Sequence, residues 1–102
     1  MDKTFCQKVY EVVKKIPQGK VLTYQDVARL AGNVKASRAV GTAMKNNPNK
    51  SVIPCHRVVG SDGAMHGYAF GGEEIKIEML KKEGIIFRKS RVILEISRWK
   101  TS

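Results

Sequence analysis

The sequence has few cysteines and no long apolar run, and each shortage excludes a class of protein. With only Cys6 and Cys55 in 102 residues, the chain lacks the disulfide framework of a small secreted domain. Residues 1–10 carry charge early and contain no apolar stretch, so the sequence predicts neither a signal peptide nor a membrane span there. We therefore expect a soluble intracellular protein, in the cytoplasm or the nucleus or nucleoid, that does not associate with membranes.

Acidic residues are also scarce, because nine Asp and Glu stand against nineteen Lys and Arg, a formal net charge of +10. Such a surface attracts polyanions, which makes nucleic acid the first candidate partner. The net charge alone fits equally well a small protein in which it serves only to maintain solubility. Because no repeat, linker or low-complexity tract divides the chain, we expect residues 1–102 to form a single domain with a modest core.

Two helices are predicted near the start of the chain. Apolar residues recur at helical spacing from Phe5 to Ile16, and Pro17 ends that helix. A second helix is predicted from Thr23 to a C-terminal cap at Gly32. Each helix begins with a capping pair, Thr4 with Gln7 and Thr23 with Asp26.

A third helix, from Ala36 to Met44, ends before Pro48, and the short connection at 33–35 suggests a helix-turn-helix. An ordinary helical hairpin in a core is the alternative, and the basic charge favours DNA docking. Further along, the sequence predicts a turn at 61–63 between two brief strands, a helix from Ile75 to Lys82 closed by Gly84, and an extended segment at 91–96. The predicted fold is mainly α with short β segments, a winged-helix-like helix-turn-helix domain.

The third helix would read DNA in an unusual way, because its first turns carry small residues rather than the Asn, Gln or Arg of a major-groove reader. Its small residues are Ala36, Ser37, Ala39 and Gly41. They would allow close approach to the minor groove, which is about 6 Å wide. Arg38 stands among them, and its spacing fits either a phosphate contact or a wedge inserted into the duplex.

The segment 54–57, Pro-Cys-His-Arg, follows two apolar residues and lies among polar turns, so Cys55 could stand at the wall of a pocket. A thiol attacks only as the thiolate, which a neighbouring His or Arg favours. A buried cysteine acting as a small hydrophobic side chain is the alternative. Because adjacent side chains diverge, His56 would need a bridging water to reach the sulfur. No metal is assigned, since Cys6, Cys55, His56 and His66 lack the paired spacing of zinc ligands.

Four segments together closely resemble the O6-alkylguanine-DNA alkyltransferase family. They are Gly-Lys-Val-Leu-Thr-Tyr at 19–24, Ala-Ser-Arg-Ala-Val-Gly at 36–41, Asn-Pro at 47–48 and Ile-Pro-Cys-His-Arg-Val at 53–58. The resemblance covers the family's C-terminal DNA-binding and active-site domain, from about Phe5 to Arg88. We expect the N-terminal domain of full-length members to be absent, and in size the chain resembles the shorter alkyltransferase-like proteins.

The resemblance implies that Cys55 accepts the alkyl group and that a water-bridged chain from Glu83 through His56 takes its proton. Tyr24 matches the tyrosine that gives a proton to the leaving guanine and helps rotate the phosphate. Asn47 would orient the turn that carries the cysteine. No cofactor is implied, and the thioether product means that each molecule acts once.

The resemblance also implies that the damaged nucleotide leaves the stack, with Arg38 filling the space it vacates. The expected DNA-binding residues are Arg38, Tyr24, Thr23, Ala36, Ser37 and Gly41. The expected pocket residues are Val58 and, in a closing loop at 67–72, Tyr68, Ala69 and Phe70.

The expected partner is double-stranded DNA containing O6-alkylguanine, bound by a monomer, with other repair proteins as further possible partners. Three other functions remain open. The first is a non-catalytic, alkyltransferase-like protein that binds the lesion and recruits repair factors; retention of Cys55, His56 and Glu83 argues against it. The second is a transcription regulator that reads one sequence through the helix-turn-helix. The third is a redox sensor built on Cys55.

Overall fold

The computed structural model describes residues 4–49, 51–65 and 72–100, which are mainly helical with short strands, as predicted. In chain order the elements are α1 (Phe5–Lys14), β1 (Leu22–Thr23), α2 (Tyr24–Leu30), α3 (Ser37–Lys45), a 3-10 turn (Cys55–Arg57), β2 (Val58–Val59), α4 (Gly72–Lys82), β3 (Phe87–Arg88), β4 (Arg91–Val92) and α5 (Leu94–Ser97). Within these ranges, none of the helices has the length and apolar character that crossing a bilayer requires.

Local signals set the first helix boundaries where the sequence predicted them. The Thr4 hydroxyl accepts the Gln7 N–H at 3.2 Å, and the Gln7 side chain accepts the Thr4 N–H at 3.0 Å. Thr23 and Asp26 form the same reciprocal pair at 3.0 and 3.1 Å. Gly32 has a φ of +103°, the left-handed conformation that ends a helix readily when no Cβ is present. Both capping boxes and the predicted cap at Gly32 are thus confirmed.

The main core lies between the first three helices and the strand pair. Apolar side chains from α1, α2 and α3 pack together, and Leu22 and Val58 complete the cluster. β1 and β2 are parallel, with Leu22 opposite Val58. Because β2 directly follows the 3-10 turn and β1 directly precedes α2, this short ladder fixes Cys55 relative to Tyr24.

The middle of the chain departs from the sequence prediction in two details. α4 begins at Gly72 rather than Ile75, and Glu73 and Glu74 in its first turn suit the positive end of the helix dipole. The turn at 61–63 forms, but it does not separate two paired strands. β2 pairs with β1, and Ala64 after the turn makes a bridge to Arg91 instead.

The predicted extended segment at 91–96 is only partly correct. Residues 91–92 form β4, which pairs with β3 in an antiparallel hairpin, and the chain then turns into the short helix α5. α5 is held by tertiary contacts: the Val21 N–H donates to the Ser97 carbonyl at 2.9 Å, and the Trp99 N–H donates to the Val21 carbonyl at 2.8 Å. A helix of four residues has no periodic pattern that a sequence could reveal.

Candidate active site and nucleic-acid interface

Cys55 is the first residue of the 3-10 turn, and the Ile53 carbonyl just before it accepts two hydrogen bonds. Pro54, with φ −77° and ψ 72°, forms an inverse γ-turn in which the Cys55 N–H donates to the Ile53 carbonyl at 2.8 Å. The buried Asn47 amide donates to the same carbonyl at 2.8 Å, and its oxygen accepts the Asn49 N–H at 2.9 Å. Asn47 therefore braces the segment that leads into Cys55.

A hydrogen-bonded network of three side chains adjoins this turn. His56 Nε2 lies 3.0 Å from Glu83 Oε2. The Arg57 guanidinium holds the same carboxylate with two bonds, Nε to Oε1 at 2.9 Å and Nη2 to Oε2 at 2.6 Å. Its Nη1 donates to the Ile16 carbonyl at 2.8 Å. Arg57 therefore positions Glu83, whereas the sequence suggested it as a cation that favours the thiolate of Cys55.

Protonation in this network favours a neutral imidazole beside an ionised carboxylate. Burial lowers the pKa of His56, and the hydrogen bond and charge of Glu83 offset this only in part. Burial opposes ionisation of Glu83, but the hydrogen bonds from Arg57 and His56 outweigh it and lower the pKa of the carboxyl. Because an ionised carboxylate only accepts, His56 must donate through Nε2, which leaves its Nδ1 as a proton acceptor.

Cys55 itself is buried, with 3% of its surface exposed, and belongs to the main core cluster. The sequence suggested a position at the wall of a pocket. The loop expected to close that pocket contains Tyr68, Ala69 and Phe70, which lie outside the described residues. Among the described residues, negative charge on Cys55 would act on Tyr10 of α1, Tyr24 of α2 and Lys76 of α4, so the cysteine lies near these three helices.

Lys76 is a buried cation beside Tyr24 that the sequence did not predict as a site residue. It lies on α4 with 1% of its surface exposed, and its Nζ is 5.7 Å from the centre of the Tyr24 ring. Burial lowers the pKa of Lys76 to about 8, against the opposing effect of negative charge on Cys55 and Glu73. No pattern in the sequence could have found it, since a lysine on a helix is normally exposed.

Tyr24 packs against the core cluster that contains Cys55. Burial, followed by negative charge on Cys55, raises the pKa of its phenol, so the hydroxyl keeps its proton. Tyr24 also lines a cleft of about 370 Å³ with Gln25, Ser37, Gly60 and Ser61. The cleft brings together the start of α2, the start of α3 and the turn after β2.

The start of α3 presents the residues expected to meet DNA. Ala36 and Ser37 are half-buried at its first turn, and Gly41 is half-buried one turn later. Arg38 is exposed and stands second in the helix. This face therefore presents the cationic side chain of Arg38 among small residues.

Two expected site residues are found in the interior instead. Thr23 is 2% exposed, and its hydroxyl caps α2 by accepting the Asp26 N–H, so its side chain is not presented to DNA. Val58 is fully buried opposite Leu22 in the β1–β2 ladder, so its side chain fills the core. Both residues shape the site through the backbone they anchor.

Comparison with known families gives one extensive match. A family model described as the DNA-binding domain of 6-O-methylguanine DNA methyltransferase matches residues 4–85. The chain is 48% identical over 79 residues to the methylated-DNA–protein-cysteine methyltransferase of the rat, covering 78% of this chain and 38% of that protein. It is 42% identical over 85 residues to the constitutive enzyme of Bacillus subtilis, covering 83% and 52%. The chain thus spans about two fifths to one half of these relatives.

Solved structures show the same similarity, and one of them aligns over nearly all of both chains. Schizosaccharomyces pombe Atl1, in complex with damaged DNA containing O6-carboxymethylguanine, aligns with a TM-score of 0.83 at 35% identity over 94% of both chains. Mycobacterium tuberculosis OGT in complex with DNA aligns with a TM-score of 0.76 at 37% identity, over 82% of this chain and 51% of that one. The predicted helix-turn-helix fold class is confirmed by these neighbours.

Proposed function

Because this chain belongs to the 6-O-methylguanine DNA methyltransferase family, we propose that it repairs O6-alkylguanine in double-stranded DNA by moving the alkyl group irreversibly onto Cys55. The observation that carries the proposal is the joining of Glu83 to His56, the residue next to the cysteine, at 3.0 Å. A neutral histidine oriented by a carboxylate is the arrangement that activates a nucleophile in many unrelated enzymes.

The transfer can be written from side chains alone. His56 Nδ1 takes the Cys55 proton through a bridging water, and the positive charge that develops on the ring is stabilised by Glu83. The thiolate then attacks the alkyl carbon, so that a sulfur–carbon bond forms while the carbon–O6 bond breaks. The guanine anion that leaves takes a proton from the Tyr24 hydroxyl. No cofactor is needed, because nucleophile, base and acid all belong to the chain.

The damaged base must leave the duplex before it can meet a cysteine that is 3% exposed. Extrusion costs a few kcal/mol of lost stacking. We propose that Arg38 enters the vacated space from the start of α3, where small neighbours let the helix approach the minor groove. Entry of the base must also open a path to the sulfur, and the buried position of Cys55 therefore limits which adducts react.

Lesion binding without transfer is the second candidate function. Its support is the alignment with Atl1, a protein solved in complex with damaged DNA containing O6-carboxymethylguanine. The network of His56, Glu83 and Arg57 favours transfer. A neutral histidine held by a carboxylate and adjacent in sequence to a cysteine can accept the thiol proton, which lesion binding alone does not require.

The deciding experiment is intact-mass measurement after incubation with a duplex containing one O6-methylguanine. We expect the mass of one methyl group on the protein, mapped to Cys55 and absent from the Cys55→Ala variant. Exposed Cys6 serves as an internal control, because indiscriminate alkylation would label it first. Tight binding to the lesion with no added mass would contradict transfer and leave the second candidate.

A further inference from the structure

A basic hairpin follows α4, beyond the residues that the family model matches. It comprises β3, the turn at 89–90 and β4, with Phe87 opposite Val92 and Arg88 opposite Arg91. Arg88, Lys89 and Arg91 are all exposed. In a two-stranded ribbon, directly paired residues project from the same face, so the two arginines lie side by side.

Like charges directly opposite one another destabilise a strand pair. Val92 belongs to a second core cluster and Phe87 packs against it, so the hairpin faces the core through its apolar pair and turns the arginine pair outward. The other members of this cluster are Val21, Val59, Met65, Leu80 and Ile85. Asp62 is 3.8 Å from Arg91, in an ion pair that is about half exposed on both sides and therefore weak. Lys81 adds a further cation 5.8 Å from the Phe87 ring. Such a concentration of positive charge fits an anionic partner.

The hairpin is held rigidly in place. Lys89 and Ser90 have φ values of +50° and +66°, the conformation of the tight turn whose twist matches two antiparallel strands. The Val92 N–H donates to the Gly63 carbonyl at 2.9 Å. A Cβ at Gly63 would overlap the Val92 carbonyl oxygen, so the 61–63 turn and β4 are in direct backbone contact. A rigid arm loses little entropy when it binds.

The hairpin continues the candidate DNA surface. Ser61 lines the cleft it shares with Tyr24 and Ser37, and it also lines a neighbouring cleft of about 300 Å³ with Arg88 and Arg91. Asp62 and Glu95 line the second cleft too and balance its two arginines, so the excess positive charge is on the exposed hairpin rather than in the cleft. One continuous surface therefore runs from the start of α3 across the 61–63 turn to the hairpin.

We infer that the basic hairpin is a second DNA contact, binding backbone phosphates beside the lesion while α3 occupies the minor groove. The inference rests on the proposed function, since it places the duplex against Tyr24 and α3. Contacts of this kind carry no sequence information. They would add affinity and orientation for damaged and undamaged duplex alike.

The test compares two double variants that remove the same charge. Arg88→Gln with Lys89→Gln alters the hairpin, and Lys14→Gln with Lys15→Gln removes two exposed lysines at the end of α1. The affinity for a lesion-containing duplex is measured from low to high salt. Each phosphate contact contributes about 0.9 to the slope of log K against log salt, so the hairpin variant should lose about 1.8. The control variant should keep the wild-type slope.

Equal slopes for the wild type and the hairpin variant would overturn the inference. An equal decrease in slope for the hairpin and control variants would also overturn it, because it would show that only the net charge of the protein matters. The single substitutions at Arg88 and Lys89 provide folded alternatives, each expected to lose about 0.9. Transfer from free O6-benzylguanine base should be unchanged in the hairpin variant, which checks the active site. Absence of methyl transfer in the wild type would instead reject the proposed function, whatever the slopes.

Discussion

Replacing Glu83 by Gln tests whether the carboxylate does more than hold the fold together. The substitution keeps the shape and one hydrogen-bond acceptor but removes the charge that faces His56 at 3.0 Å. A hydrogen bond to a charged group contributes about 1.5–3 kcal/mol. If that contribution supports the imidazolium that forms on proton transfer, the methyl-transfer rate should fall by about 10- to 150-fold.

The same substitution should destabilise the protein, because Arg57 loses its anionic partner. Both side chains of this pair are largely buried, with 17% and 13% of their surface exposed. Removing one partner of a buried pair costs on the order of 3 kcal/mol, a substantial share of a small domain's stability. Transfer must therefore be measured at a temperature where urea unfolding curves show the variant to be fully folded.

The assay is single-turnover transfer from an O6-methylguanine duplex with protein in excess, followed by the mass of the protein. Glu78→Gln is the matched control, because it removes the same charge from an exposed position on α4, the helix that ends just before Glu83. The control should transfer at the wild-type rate. A folded Glu83→Gln variant that also did so would refute the role assigned to the network of His56 and Glu83.

Three further predictions concern other parts of the molecule. Lys76→Met should slow transfer about tenfold, the equivalent of ~1.4 kcal/mol, because it removes a cation near Cys55. The same substitution should raise the melting temperature, because the cost of burying that cation is removed. Lys76→Arg should transfer faster than Lys76→Met, and a Met variant that transfers at the wild-type rate would exclude an electrostatic role. Arg38→Ala should slow transfer from duplex DNA about tenfold by removing its contribution to base extrusion, but leave reaction with free O6-benzylguanine base within about twofold; equal losses on both substrates would contradict the wedge. For Asp26, burial opposes ionisation, but hydrogen bonds from Arg98 and Thr23 outweigh it and lower the pKa. Its stabilising effect is therefore complete above the ordinary value of 3.8 and is lost as pH falls through the lower folded value; urea unfolding between pH 2 and 6 should show a steeper acid loss for the wild type than for Asp26→Asn.

The sequence determined the elements whose causes are local. Both capping boxes, the left-handed cap at Gly32 and the end of α3 before Pro48 depend on residues within about four positions of each other. Backbone hydrogen bonds and caps act over that range, so composition and spacing carry the information. The candidate nucleophile and its histidine were also recognisable, because they are adjacent in a motif that resembles a known family.

The C-terminal part and the electrostatics of the site depend on packing between segments that are distant in the sequence. The hairpin turn uses Lys89 and Ser90 in a conformation that Gly or Asn normally adopts, so no hairpin was predicted before the extended segment at 91–96. Lys76 is buried against Tyr24, although helical patterning would expose a lysine. Arg57 holds a carboxylate 26 residues away rather than a neighbouring thiol. Burial and long-range pairing depend on which surfaces pack together, and no local pattern encodes that choice.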